Sequence, residues 1–195
     1  MGNTLLFFDN EYFYEGVSKL EKKLKIAQLK KFISKRKLYA KLETSRINHN
    51  RFFKILKRKF KLKIGFRDFI SLYCNIFWEN RPALNYMESL YESGKYRIFI
   101  LSNTDSMRMH FINRNFPQVN LIKHKILSFR IGMLKPSRTI YRYMMKKYNI
   151  KPIETLYIDD LKDNVMSAKS LGWNALRYTN YKSFAKSVKA ILKKG

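Results

Sequence analysis

The chain has one cysteine, four prolines and seven glycines among 195 residues, and only 14 acidic side chains against 41 Lys and Arg. The lone Cys74 excludes an internal disulfide and any cysteine-based metal cluster. No stretch approaches the roughly 20 consecutive apolar residues that span a bilayer. The opening "MGNTLLFF" lacks the basic leader of a signal peptide. A cytoplasmic protein is the expectation. His49, His110 and His124 are dispersed among basic residues and read as ordinary surface or structural histidines, not as a metal set.

What is present is apolar and positive. Apolar residues make up 46% of the chain, with 15 Phe and 13 Tyr, enough for one core or a core plus a small helical accessory domain. The net charge of +27 attracts polyanions and makes the compact state repel itself. Between Lys19 and Arg67 lie 19 basic residues and two acids, Glu21 and Glu43. That segment is a candidate for weak polyanion binding, as patches such as "KRKFKLK" illustrate. The bland counterpart is a set of solvated helices with no recognised nucleic-acid motif.

Apolar spacing divides the chain in two. Up to about residue 80 the pattern is helical. Leu20, Leu24 and Ala27 recur with Leu29, Phe32 and Ile33. Phe52, Ile55, Leu56 and Phe60 follow a polar break, with Asn48 as a candidate cap. After Gly65, the residues Phe66, Phe69, Ile70, Cys74 and Phe77 form another stripe, in which Cys74 reads as buried filler. From Pro82 onward, short apolar strands ("YRIFILSNTD", "HKILSF", "TLYIDD", "NALRYT") alternate with helices. One of these helices opens at Pro136, another ends at Gly172, and a basic amphipathic helix runs from Phe184 to Leu192. This alternation predicts an α/β protein with a Rossmann-like three-layer parallel sheet. The expected division is a short segment over residues 1–11, a strongly basic helical cap over 12–80 and the core over 81–195.

In such sheets ligands sit beyond the carboxyl ends of the strands. The polar residues cluster there: Ser102-Asn103-Thr104, the region of Lys135, and Asp159-Asp160. Paired acids beside a lysine and a hydroxyl suit a magnesium ion holding a phosphate. Taken singly, a lysine after Gly-Met-Leu is usually solvated, and Asp-Asp at a strand end is often a helix cap.

The stretches "FILSNTDSMRMHFI", "LSFRIGMLKPSRTIY" and "LYIDDLKDNVMSAKSLGWNALRYT", in that order, resemble the haloacid dehalogenase-like superfamily. The likeness is to its small phosphatase-like members with a helical cap, and it extends over essentially the whole chain. The resemblance implies that Ser102 bonds the transferring phosphoryl group and that Asn103 orients substrate or solvent beside it. Lys135 neutralises phosphoryl charge, and Mg²⁺ is held by Asp160 with Asp159 and Asn164. It also implies an aspartate nucleophile ending a first strand inside the sheet. "MGNTLL" matches the residues after that aspartate, with Gly2 and Asn3 in the phosphate loop. The nucleophile is then expected just before Met1, and the first strand is missing or incomplete. A competing register makes Asp9, with Glu11, the acid pair, but Tyr12 and Phe13 crowd the turn it requires. The expected activity is Mg²⁺-dependent hydrolysis of a small phosphomonoester by a longer form, with this chain inert for want of the aspartate. Alternatives are a non-catalytic module for nucleic acid or another polyanion, and a 2-haloacid dehalogenase-type hydrolase. An interrupted sheet also gives a reason for self-association into a homo-oligomer.

Overall fold

Apolar residues repeating every three or four positions wind the first part of the chain into five helices: α1 (Glu11–Leu20), α2 (Ile26–Lys35), α3 (Leu38–Glu43), α4 (His49–Phe60) and α5 (Phe66–Cys74). The structure is a computed structural model that describes residues 1–192. Phe13, Val17, Leu29, Phe52, Leu56, Phe69 and Tyr73 are fully buried where these helices meet. Their rings pack edge-to-face, as Phe13 does against Phe69 with centroids 5.3 Å apart, the arrangement that the ring quadrupole favours. Asn48 caps α4 as its sequence position predicts, its side chain accepting from the Arg51 N–H. Cys74 lies in this core.

Two expectations for this half need correction. Leu20 is exposed rather than part of a continuous stripe, because the chain leaves the helix at Glu21. The Glu21 carboxylate accepts from the backbone N–H groups of Lys63 and Ile64, tying that break to the turn after α4. Phe77 is also not helical. It opens β2 (Phe77–Glu79), which pairs antiparallel with β1 (Leu6–Phe8) in the register Leu6–Glu79, Phe7–Trp78 and Phe8–Phe77. This ribbon brings together the two ends of the helical insertion.

The second part runs α6 (Arg81–Glu92), β3 (Phe99–Ser102), α7 (Ser106–Asn115), β4 (His124–Leu127), α8 (Ser128–Ile131), α9 (Arg138–Tyr148), β5 (Leu156–Asp159), α10 (Lys162–Lys169), β6 (Asn174–Arg177) and α11 (Tyr181–Leu192). Pro82 stands in the first turn of α6, and Gly94 ends that segment at φ +65°. Pro136 does not open α9; Ser137 caps it and the helix begins at Arg138.

Successive strand residues face opposite ways and carry helices on both sides. Leu101 and Ile126 pack with Ile140, Tyr141 and Met144 of α9 and Val165 and Ala168 of α10. Ile100 and Leu127 pack with Leu84 of α6 and Met109 and Ile112 of α7. β3 pairs parallel with β4, and β5 parallel with β6. Among the described residues no backbone ladder joins the two pairs, so two-stranded sheets stand where one continuous parallel sheet was expected. A shared apolar cluster unites them, since Leu101 of β3 and Tyr157 of β5 belong to the same core. No helix among the described residues is long and apolar enough to cross a membrane.

Candidate active site

β3 and β5 end in Ser102 and Asp159, and the side chain of Lys135 links the two strand ends. Its ammonium donates to the Leu101 carbonyl at 3.1 Å and to Asp159 Oδ2 at 2.6 Å. The lysine is almost wholly buried. Asn103 fixes its backbone from both sides: Asn103 Nδ2 donates to the Lys135 carbonyl at 3.0 Å, and Asn103 Oδ1 accepts from the Lys135 N–H at 2.9 Å. Ser102 is buried beside Asn103, its hydroxyl 3.3 Å from the Asn103 carbonyl. The loop continues to Thr104, whose N–H and carbonyl both bond Ser128 Oγ at 2.9 Å, anchoring it to the start of α8.

The two acids expected at the metal have different surroundings. Asp159 is buried and engaged at both oxygens. Oδ2 accepts from Lys135 and from the Tyr157 hydroxyl, and Oδ1 accepts from the Leu161 N–H and from Asn164 Nδ2. Burial alone raises a carboxyl pKa, but Lys135 and these donors outweigh it and hold Asp159 down to about 2. Asp160 is only partly buried, and its carboxylate takes one bond, from Asn3 Nδ2 at 3.3 Å.

That bond docks the N-terminal turn at the site. Asn3 adopts φ +50°, a left-handed conformation that asparagine tolerates. Its Oδ1 accepts from the Phe8 N–H at 3.4 Å. Gly2 lets the Phe8 ring pack close, since a Cβ there would meet that ring at 2.7 Å unless it moved aside. The Met1 amino group lies buried beside Lys135, Asp159 and Asp160. The sequence-derived set of Gly2, Asn3, Ser102, Asn103, Lys135, Asp159, Asp160 and Asn164 is thus drawn around the ends of β3 and β5. Asp9 takes no part in this network. It is exposed, and its Oδ1 accepts from the Glu11 N–H at 2.8 Å at the start of α1.

Magnesium binds through one or two carboxylates and keeps several waters. Asp160 offers such a carboxylate, while Asp159 and Asn164 bond one another. Among the described residues there is no group of three or more His, Cys, Asp or Glu that would form an all-protein cage. The donors therefore fit a magnesium ion completed by water and phosphate oxygens.

A second polar cluster, not foreseen, begins directly after the Ser102-Asn103-Thr104 loop. Asp105 is fully buried at the N-cap of α7. It accepts from His49 Nε2 at 2.7 Å, from the Tyr73 hydroxyl at 2.6 Å, and from the N–H groups of Met107 and Arg108 at 3.1 Å. Arg108 lies 4.2 Å from the Tyr73 ring centroid and donates to Asn10 at 2.7 Å. Two cap helices and the cap linker are thus fastened to the core directly after Ser102-Asn103-Thr104. The partners of Asp105, His49 and Tyr73, 56 and 32 residues away, left no local signal.

The arrangement is a Rossmann-like core with an inserted helical cap, the polar groups gathered at the strand ends. The chain belongs to the haloacid dehalogenase-like hydrolases, whose family pattern matches residues 10–177. Over 115 residues it is 29% identical to the D-ribitol-5-phosphate phosphatase of Bacteroides thetaiotaomicron, covering 56% of this chain and 55% of that protein. It is 28% identical to enolase-phosphatase E1 of a Sulfurihydrogenibium species, over 49% of this chain and 41% of that protein. The chain thus spans about half the length of these curated relatives. Among solved structures, a HAD-like family hydrolase from Porphyromonas gingivalis superposes with a TM-score of 0.81 at 22% identity, covering 96% of this chain and 92% of that one. The HAD family enzyme bt-2542 from Bacteroides thetaiotaomicron, an Asp-to-Ala mutant in complex with magnesium and inorganic phosphate, gives 0.78 at 19% identity, covering 92% and 91%. These superpositions establish the fold.

Proposed function

We propose that this chain carries the phosphate pocket of a Mg²⁺-dependent phosphomonoester hydrolase. The observation that carries the reading is the buried Lys135–Asp159 contact of 2.6 Å, with the less encumbered Asp160 carboxylate beside it. A lysine locked between two strand ends supplies positive charge where phosphoryl oxygens collect, without reorganising during the reaction. The Ser102 hydroxyl stands in the same loop as a donor. Asn103 acts through Lys135, holding the backbone that aims it. Asp159 holds Lys135 in place, and Asn164 in turn orients Asp159. Asp160, with Asn3 against it, would hold the metal. When bound, magnesium neutralises charge developing on the phosphate.

Transfer through a covalent intermediate also needs a carboxylate aimed at phosphorus. Asp159 is committed to four donors, and Asp9 is exposed and bonded to the Glu11 N–H outside the pocket, so neither serves. With Asp160 assigned to the metal, no carboxylate of this pocket among the described residues is left for the attack, and phosphate binding is the activity assigned to residues 1–195. The fold is shared with an L-2-haloacid dehalogenase, TM-score 0.63. Phosphoryl chemistry is favoured because it uses both the clamped lysine and the available acid.

The test is to measure inorganic phosphate binding with Mg²⁺ by calorimetry, and hydrolysis of an aryl phosphate. Two forms are compared: the chain as it stands, and one carrying a short apolar segment ending in Asp ahead of Met1. Phosphate binding to both forms is expected, with turnover only in the second and its loss on Lys135→Gln. Turnover by the unextended chain, or turnover indifferent to Lys135→Gln, would refute the assignment.

A further inference from the structure

Five of the 19 basic residues between Lys19 and Arg67 line one groove. Between α2 and α4 runs an open groove of about 600 Å³ lined by Arg36, Arg51, Lys54, Arg58 and Lys59. Phe32 and Ile55, both partly buried, also line it. Arg51, Lys54 and Arg58 recur at i, i+3 and i+7, one stripe along α4 about 10 Å long. The core-facing residues of the same helices are others, Leu29 and Ile33 on α2 and Phe52, Phe53 and Leu56 on α4. The Arg36 guanidinium, on the same side as the Phe32 ring, lies 4.9 Å from its centroid, and the Lys59 ammonium reaches it from α4 at 5.9 Å. These contacts place both cations before any ligand arrives.

None of the five cations forms an ion pair with an acid among the described residues. The two acids of this stretch are occupied elsewhere. Glu21 caps the turn at Lys63 and Ile64, and Glu43 is partly buried within reach of Arg108 and Lys135. The groove therefore concentrates like charges with no internal compensation, a state that a polyanion relieves. Three of the cations are arginines, whose planar forks match phosphate oxygens two at a time. A duplex is a stiff cylinder that meets only the rims of such a concavity, whereas a single strand bends into it.

We propose that the α2–α4 groove binds single-stranded nucleic acid through its phosphate backbone, without base readout and independently of the catalytic pocket. For single strands, log K falls with log salt at a slope of about −0.7 per phosphate neutralised. Five cations give about −3.5, so affinity falls about 100-fold between about 50 and 200 mM salt.

The experiment is fluorescence anisotropy of a short labelled oligouridylate, and of an oligothymidylate of the same length, against the full chain without added metal. The groove variant is Arg51→Gln/Lys54→Gln/Arg58→Gln. The control, Lys182→Gln/Lys186→Gln/Lys189→Gln on α11, removes the same charge from exposed positions outside the groove. Circular dichroism verifies that both variants are folded. The groove variant is expected to bind weakly with a slope near about −1.4, the control to bind like the parent, and the two oligonucleotides to bind within a few-fold of each other. Four results would each overturn the proposal. They are no binding at low salt, equal losses in both variants, a more than about tenfold preference between the sugars, and competition by polyglutamate as effective as by the oligonucleotide itself.

Discussion

Replacing Asp105 with Asn removes one charge from a buried polar cluster. The carboxylate is fully buried and receives four hydrogen bonds, from His49, Tyr73 and two backbone N–H groups. The Arg108 guanidinium, 6% exposed, has Asp105 as its ion-pair partner at 3.8 Å. Asn is isosteric, so packing is preserved, but the arginine becomes a buried cation without a counterion and one acceptor turns into a donor. Breaking a buried pair in this way costs about 3–5 kcal/mol. With a urea dependence of about 2 kcal/mol per molar, the midpoint falls by about 2 M. Urea denaturation at pH 7, followed by tryptophan fluorescence, reads the shift. Glu79→Gln is the internal comparison. Its partner Arg81 is largely exposed, and loss of such a surface pair is expected to leave the midpoint nearly unchanged. Adding Arg108→Met to Asp105→Asn is expected to return at least half of the loss, because the stranded charge then goes too. An Asp105→Asn midpoint within about 0.5 M of the parent would refute the argument that this cluster fastens cap to core. The same cluster sets an acid limit. Burial opposes ionisation of Asp105, but His49 and Arg108 hold its pKa below the ordinary value of 3.8. Its contribution is complete above that value and is lost as pH falls through the lowered one.

Other measurements probe separate features. Glu43, its carboxyl pushed up to about 7 chiefly by burial, is protonated in the folded chain between its ordinary 4.5 and about 7 and ionised in the unfolded one. Stability therefore falls as pH rises across that window, by up to about 3 kcal/mol, and thermal melts of Glu43→Gln are expected to show the decline removed. Unchanged pH dependence would count against that placement of the carboxyl. Cys74 is buried, and burial, with Asp105 nearby, raises its thiol to about 12. It is expected to resist a thiol-specific disulfide reagent at pH 8 and to react fully in denaturant. Rapid reaction of the folded chain would contradict the packing of α5.

The sequence alone determined the alternation of elements, the cap at Asn48, the proline in the first turn of α6, the burial of Cys74 and the gathering of polar residues at the ends of β3 and β5. Each of these rests on local rules: apolar period, capping chemistry, and the tendency of parallel strands to end in polar residues. The resemblance to the haloacid dehalogenase-like family was legible for the same reason, since its motifs are short and ordered. Several features were decided only by tertiary structure. The β1–β2 ribbon joins residues about 70 apart, and Phe77 left its helical stripe because it pairs with Phe8. Asp159 proved saturated and Asp160 less encumbered, although the sequence offers two identical neighbours. His49 found Asp105 across the cap–core seam, and five of the cap cations came to line one groove. Such outcomes depend on which distant side chains share a desolvated space, and no periodicity along the chain encodes that.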